Sequence, residues 1–237
     1  MTAIGVIPAR LGSTRLKNKV LAQINGKPMI QYVWERASQA KRLDQVLIAC
    51  DDQKILKAAK KFGASAVLTS KDHPSGSDRI AEAVRALPVD IVVNIQGDEP
   101  LIDPATIDAL VGALEEDPDV PMATVIKEFL PDEDENDPNK VKVTIDDSRH
   151  AVAFSREVPR IREQFYKHVG IYAYRKEFLL MFHLMPKSPN EIRERLEQLR
   201  VLDAGYPIKT VLTDVETIGV DTLEDLLKVE ARLKQHG

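Results

Sequence analysis

AIGVIPARLGSTRLKNK, residues 3–19, opens the chain with an uncharged run of strand length and follows it at once with a cationic turn. The apolar run has the composition of a strand buried on both faces. The turn that follows carries Arg10, Arg15, Lys17 and Lys19 around Gly12-Ser13-Thr14, with Lys27 close behind. The chain as a whole is not basic. Its 237 residues carry a formal net charge of -4, so this local excess of positive charge needs a local explanation. Gly12 lets the backbone turn and expose N–H groups, Ser13 and Thr14 add hydroxyl donors, and Arg10, Arg15 and Lys19 add charge. Backbone donors and cations at the carboxyl end of a strand suit a polyanion such as a triphosphate. Charge density alone is equally well explained by a solvated basic loop; the position after the first strand favours phosphate.

Reading outward, strand and helix signals alternate. "QVLIAC", "SAVLTS" and "DIVVNIQ" read as three further buried strands. Between and after them, "PMIQYVWERAS", "QKILKAAKKF", "SDRIAEAVRAL" and "DPATIDALVGALEE" read as helices. Pro28 suits a first helical turn, Gly63 a helix stop, and Ser77 or Asp78 the cap of the third helix. Strands apolar on both faces, alternating with helices, imply an α/β fold with a mostly parallel sheet flanked by helices. After about residue 117 the pattern changes. "VPMATVIKEF", "KHVGIYAY" and "YPIKTVLT" read as strands, and "KVKVTIDDSRHAVAFS" as a hairpin. "KEFLLMFHLM" and "PNEIRERLEQLRVLDAG" read as helices, the second stopped by Gly205, and "TLEDLLKVEARLKQ" as the last helix. The second half therefore carries antiparallel features, a mixed sheet or a small lobe inserted into it, within one domain over 1–237 whose parts run about 1–117, about 118–215 and 216–237.

Composition excludes several classes. The charge balance demotes a general nucleic-acid binder. One cysteine, Cys50, provides neither a disulfide framework nor a multi-cysteine metal site, and suits a reducing cytoplasm. No segment approaches the roughly 18 apolar residues of a membrane span, and the first residues read as a strand, not a signal peptide. A soluble, cytoplasmic protein is expected. No G-x-x-x-x-G-K-[ST] or G-x-G-x-x-G occurs, so neither a P-loop nor a dinucleotide fold is indicated. The five histidines show no ligand spacing, and no H-E-x-x-H or G-x-S-x-G appears.

Two carboxylates stand out. "VVNIQGDEP" ends the fourth strand; Gly97 permits a tight turn, and Asp98 and Glu99 sit at its carboxyl edge. A carboxylate facing the same crevice as a phosphate loop can hold Mg²⁺. A turn aspartate or a surface ion pair is the plainer reading of Asp98 in isolation. In "GVDTLEDL", Thr222 and Asp225 form a capping box for the last helix. Asp221 is either part of that cap or a second metal carboxylate arriving from a distant part of the chain. "HPSGSDR" (73–79) is a loop and helix cap that also suits the ribose or base end of a nucleotide. "FSR" (154–156), His168 and "LEQLR" (196–200) carry weaker signals, and the acidic run 132–137 reads as a solvated loop.

Taken together, "IPARLGSTRLKNK", "GKPMIQYVWERA", "SGSDR", "NIQGDEPLI", "KVKV", "FSR", "KHVGIYAYR", "LEQLR" and "GVDTLEDL" occur in the order found in the 3-deoxy-manno-octulosonate cytidylyltransferases, or CMP-Kdo synthetases. The chain resembles that family from about residue 3 to 230. The resemblance implies a Rossmann-like nucleotidyltransferase fold with a smaller antiparallel sugar-binding and dimerisation lobe, usually a homodimer. It implies the reaction of CTP with Kdo to give CMP-Kdo and pyrophosphate for lipopolysaccharide assembly. Pro8, Ala9, Arg10, Gly12, Ser13, Thr14, Arg15, Lys19, Ser77, Arg79 and Gln96 would lie on the nucleotide side. Arg10 and Lys19 would take part in catalysis with Asp98 and Asp221, the pair expected to hold Mg²⁺. Gln96, Arg156, His168, Tyr172, Glu197 and Gln198 would surround the sugar acid, with Arg156 pairing its carboxylate. Two departures are visible: many members read R-[FL]-P-G-K where this chain has Arg15-Leu16-Lys17-Asn18-Lys19, and the segment between "FSR" and "HVGIY" is shorter and lacks A-P-I-P-Y. A cytidylyltransferase for 8-amino-Kdo or a sialic acid, and a non-catalytic nucleotide-binding regulator, are the alternatives.

Overall fold

The computed structural model describes residues 1–13, 16–159 and 164–235. In chain order, β1 (Ala3–Ala9) leads through a 3-10 turn (Lys19–Leu21) to β2 (Gln23–Ile24) and β3 (Lys27–Pro28), then α1 (Met29–Ala37), β4 (Gln45–Cys50), α2 (Gln53–Lys61), β5 (Ser65–Leu68), α3 (Gly76–Val84), β6 (Ile91–Asn94) and α4 (Pro104–Glu116). There follow β7 (Met122–Lys127), β8 (Lys142–Ile145), β9 (Ala151–Ser155), β10 (Phe165–Arg175), α5 (Lys176–Phe182), α6 (Pro189–Glu194), α7 (Gln198–Asp203), β11 (Ile208–Leu212) and α8 (Leu223–Gln235). Two compact units result: residues 1–108 with 215–237, and residues 109–214. The first boundary falls inside α4, ahead of the change of pattern that the sequence places near residue 117.

The first unit is the expected parallel sheet. β1 pairs in parallel with β4 on one side and β6 on the other, and β4 pairs with β5. Side chains buried on both faces explain the uninterrupted apolar runs: Ile4, Val6 and Ile7 of β1, Ile48 of β4 and Ile91, Val92 and Val93 of β6 have no exposure. The last helix belongs to this unit. Leu226 and Val229 of α8 pack with Ile24, Met29, Leu101 and Val220, which draws the C-terminal segment back to the opening loop.

Short elements depart from the sequence expectation. β2 and β3 form a two-residue hairpin closed by Asn25 and Gly26, both at positive φ; strands this short carry no periodic signal. Pro28 precedes α1 as its cap, and α3 is capped by Ser75, whose Oγ accepts from the Asp78 N–H at 3.2 Å, not by Ser77 or Asp78.

In the second unit, β7 lies between β11, parallel to it, and β10, antiparallel to it; the β8–β9 hairpin joins through β8 to the start of β10. The helix expected over residues 189–205 is two helices. Arg195 adopts a left-handed conformation (φ 57°) as the cap of α6, and α7 begins at Gln198. The break lets Arg200 fold back onto Glu191, Nη2 to Oε1 2.5 Å and Nε to Oε2 2.7 Å. In a continuous helix those two positions would be about 13 Å apart along the axis.

Candidate nucleotide and metal site

The site in the first unit is built on the ends of β1, β4 and β6. Gly97 is the close approach that makes it possible: a Cβ there would lie 3.1 Å from the Pro8 carbonyl oxygen, so the turn after β6 passes the end of β1 only without a side chain. Asp51, at the end of β4, accepts the Leu11 N–H at 2.9 Å and anchors the start of the basic loop. Arg10 and Gly12 are exposed, and Ser13 is partly so. Thr14 and Arg15, expected to bind phosphate, lie outside the described residues.

Lys19 sits where three distant segments meet. Asn18 before it takes a left-handed conformation, φ 53° and ψ 39°. Asparagine tolerates that region better than other residues bearing a Cβ, and the position is the one where the family pattern has glycine. Lys19 Nζ then lies 2.6 Å from Asp98 Oδ2 and 2.9 Å from Asp221 Oδ1. Burial works against its charge, but the two carboxylates outweigh it and raise the ammonium's pKa above the ordinary value. Asp221 is held by its backbone surroundings. The Val220 N–H donates to the Asp98 carbonyl at 2.9 Å, and the Asp225 carboxylate accepts the Asp221 and Thr222 N–H groups at 3.1 and 2.9 Å. Thr222 Oγ accepts the Asp225 N–H at 3.2 Å, completing the expected capping box. Asp221 is thus part of the cap region and also faces Asp98.

Glu99 lies beneath this arrangement. Its Oε2 is shut off from solvent without a hydrogen-bond partner. Burial, then the neighbouring Asp98, push its pKa up to about 7, against the opposing pull of the Thr217 hydroxyl and Lys19. A Cβ on Gly219 would stand 3.1 Å from Glu99 Oε1, so the segment leading to Asp221 runs directly over this carboxyl group.

The donor set suits a magnesium ion. Asp98 and Asp221 already converge on a cation, and both keep exposed edges, 33% and 43% of the side chain. Mg²⁺ is ordinarily held by one or two carboxylates, with phosphate oxygens and water completing six ligands. No cluster of three or more His, Cys, Asp or Glu side chains suited to a metal occurs among the described residues. Other expected nucleotide-side residues face elsewhere. The Arg79 guanidinium is buried and turned inward, donating to Thr69 Oγ1 at 2.6 Å and the Ser70 carbonyl at 3.0 Å, with Asp51 Oδ2 at 3.6 Å. Ser77 is buried, and Gln96 donates to Asn94 Oδ1 at 3.1 Å.

The expected sugar-side residues of the second unit form a polar cluster in an aromatic wall. His168 packs between Phe154 and Tyr172. Thr124 Oγ1 donates to the Ile171 carbonyl at 3.0 Å, so it accepts from His168 Nε2 at 2.9 Å. The residue is half-buried, and desolvation pushes its pKa down to about 3. The neutral ring, protonated on Nε2, presents Nδ1 as an acceptor. Tyr172 donates to Gln198 Oε1 at 3.2 Å, while Gln198 Nε2 is buried without a partner. Burial and then the charge of Glu197 raise the Tyr172 hydroxyl's pKa far above its usual value. Arg156 Nε donates to the Glu194 carbonyl at 2.8 Å and its Nη1 to the Pro138 carbonyl at 2.9 Å. Sequence reading missed Thr124, a hydroxyl within β7, and Asp51, just beyond the end of β4.

Residues 4–216 match the model of the Cytidylyltransferase family. The 3-deoxy-manno-octulosonate cytidylyltransferase of Solibacter usitatus is 49% identical, over 98% of this chain and 94% of that protein; that of Geotalea daltonii is 46% identical over the whole of both. The chain belongs to the 3-deoxy-manno-octulosonate cytidylyltransferases. A solved CMP:2-keto-3-deoxy-manno-octonic acid synthetase complexed with CTP is 41% identical, with a TM-score of 0.95 and full coverage of both chains. A 4-diphosphocytidyl-2C-methyl-D-erythritol synthase from Anaerococcus prevotii, 17% identical with a TM-score of 0.67, shares the fold. Family membership and the α/β nucleotidyltransferase fold accord with what the ordered motifs of the sequence imply. Among the described residues no helix is long and apolar enough to cross a membrane.

Proposed function

We propose that this chain transfers CMP from CTP to 3-deoxy-D-manno-octulosonate, with Asp98 and Asp221 as the ligands of a catalytic Mg²⁺. The observation that carries the metal assignment is the convergence of both carboxylates on one cation, Lys19 Nζ. The anomeric hydroxyl of the sugar attacks the α-phosphorus in line. The new O–P bond forms as the bond from Pα to the bridging oxygen breaks, pyrophosphate departs, and the hydroxyl proton passes to water. No enzyme nucleophile is needed; the chain's task is to position the reactants and neutralise charge. Magnesium at the two carboxylates would supply electrostatic stabilisation of the phosphate oxygens.

The chain's own groups divide the remaining work. Arg10, the loop at Gly12 and Ser13, and Lys19 face the triphosphate. In the second unit, His168 Nδ1 accepts from a sugar hydroxyl, while Gln198 Nε2 donates to a sugar oxygen. Arg156 braces the backbone at Pro138 and Glu194. The product would serve lipopolysaccharide assembly from the cytoplasm, where CTP is available and a single free thiol, Cys50, stays reduced. A homodimer remains what the resemblance of the chain to its family implies.

The test is pyrophosphate release with CTP, sugar acid and Mg²⁺. Release that requires Kdo, CTP and the metal supports the reading. Release only with 8-amino-Kdo or a sialic acid would retain the phosphate-side assignment and reassign the sugar. Folded protein that binds CTP but releases nothing with any acid would be a regulator.

A further inference from the structure

Lys19 Nζ lies between Asp98 and Asp221, the two carboxylates proposed to hold a divalent ion. Its Nζ is within hydrogen-bond distance of both, 2.6 and 2.9 Å, and its side chain is only 15% exposed. A Mg²⁺ ion needs its oxygen ligands at about 2.1 Å, so the ammonium and the metal cannot lie between the same two oxygens together. The ammonium is also well placed to leave. Lysine is a point charge on a flexible stem, and Lys19 stands directly after the basic loop, where other phosphate oxygens can receive it.

We infer that Lys19 is an exchangeable counter-ion that keeps the carboxylate pair closed to divalent metal until a triphosphate draws the ammonium away. The inference rests on the metal reading proposed above. Its consequence is an order of assembly. The nucleotide-free protein binds divalent metal weakly, because metal must first displace a paired ammonium. The polyanion relieves that competition by giving Lys19 a second set of oxygens, and metal then enters with the nucleotide. A ligand shifts such an equilibrium only by its preference for one state, and here the preference is the pairing of Lys19 with phosphate. The single ammonium offsets part of the charge of the two adjacent carboxylates.

The experiment is a titration of the nucleotide-free full chain with Mn²⁺, read by the loss of the free-ion electron paramagnetic resonance signal. Wild type is compared with Lys19→Met, Lys19→Gln and Lys19→Arg. Both uncharged variants are expected to bind one Mn²⁺ at least tenfold more tightly than wild type, while Lys19→Arg stays within about threefold of it; tenfold corresponds to about 1.4 kcal/mol. Adding Asp98→Asn to either uncharged variant should abolish the gain. Affinities in Lys19→Met and Lys19→Gln equal to or weaker than wild type would overturn the inference, as would a gain that survives Asp98→Asn. If pyrophosphate release by wild type needs metal while the uncharged variants show no gain, the counter-ion role alone fails. If release needs no metal, the metal reading fails and the inference with it.

Discussion

Lys19 Nζ stands 2.9 Å from Asp221 Oδ1 across 202 residues of sequence. The contact joins the loop after the first strand to the segment before the last helix. It exists because Leu226 and Val229 of α8 bury themselves with Ile24 and Met29. The same ammonium meets Asp98 at the end of β6.

Asp98→Asn and Asp221→Asn keep the shape of each side chain and remove its charge. Each is expected to lower pyrophosphate release by about 10²–10³-fold. CTP affinity should change far less, since the loop cations remain. Steady-state kinetics at saturating metal check this; near-normal turnover in either variant would remove that residue from the metal site.

Asn18 holds a left-handed backbone where the family pattern has glycine. Asn18→Gly should therefore be nearly neutral, within about 0.5 kcal/mol. Asn18→Val should cost about 1–2 kcal/mol and slow turnover, because the strain falls on the residue that delivers Lys19. Urea unfolding and turnover, measured on both variants, decide it.

Arg79 was expected at the nucleotide and is buried against Thr69, Ser70 and Asp51. Arg79→Met should cost about 2–4 kcal/mol of stability by leaving buried partners unsatisfied. At a temperature where the variant is folded, its KM for CTP should stay within about twofold of wild type. A large rise in KM without loss of stability would return Arg79 to the nucleotide.

His168 has a folded pKa of about 3, held down by burial, against an ordinary value of 6.5. The unfolded chain therefore binds more protons between those values, and stability rises with pH across that window. His168 contributes fully above pH 6.5, and its contribution is lost as pH falls toward 3. Glu99 acts with the opposite sign: its pKa is raised from 4.5 to about 7, so its contribution is lost as pH rises across that interval. The useful comparison is thus wild type against His168→Gln. The variant should lose less stability than wild type on going from pH 6.5 to 5, as read from urea midpoints. Equal losses would show that His168 is not buried in its neutral form.

Glu191 and Arg200 form a bidentate pair with both side chains buried, and the guanidinium lies 4.5 Å from the Phe182 ring centroid. Glu191→Gln leaves a buried cation without its counter-charge and should cost about 3–5 kcal/mol. Chemical denaturation measures it. A loss under about 1 kcal/mol would mean that the carbonyls of Phe182 and Met185 suffice to hold Arg200.

Much of this was legible in the chain, because the signals are local. Apolar runs of strand length alternating with amphipathic helices specify a parallel sheet with covered faces. Gly97-Asp98, the basic loop after β1 and the Thr222–Asp225 cap are each turn or cap chemistry confined to a few consecutive residues. The ordered motifs were enough to imply the family. The direction in which a long side chain turns was not legible. The charges of Arg79 and Arg156 are visible in the sequence and their hydrogen-bond partners in the fold are not, nor is the helix break at Arg195 that lets Arg200 reach Glu191. The union of Lys19, Asp98 and Asp221 likewise depends on α8 packing against the start of the chain. Local sequence specifies the elements and the kinds of chemistry at their ends; which of those groups meet depends on the packing of distant residues, because that packing, not local propensity, brings their charges within hydrogen-bond reach.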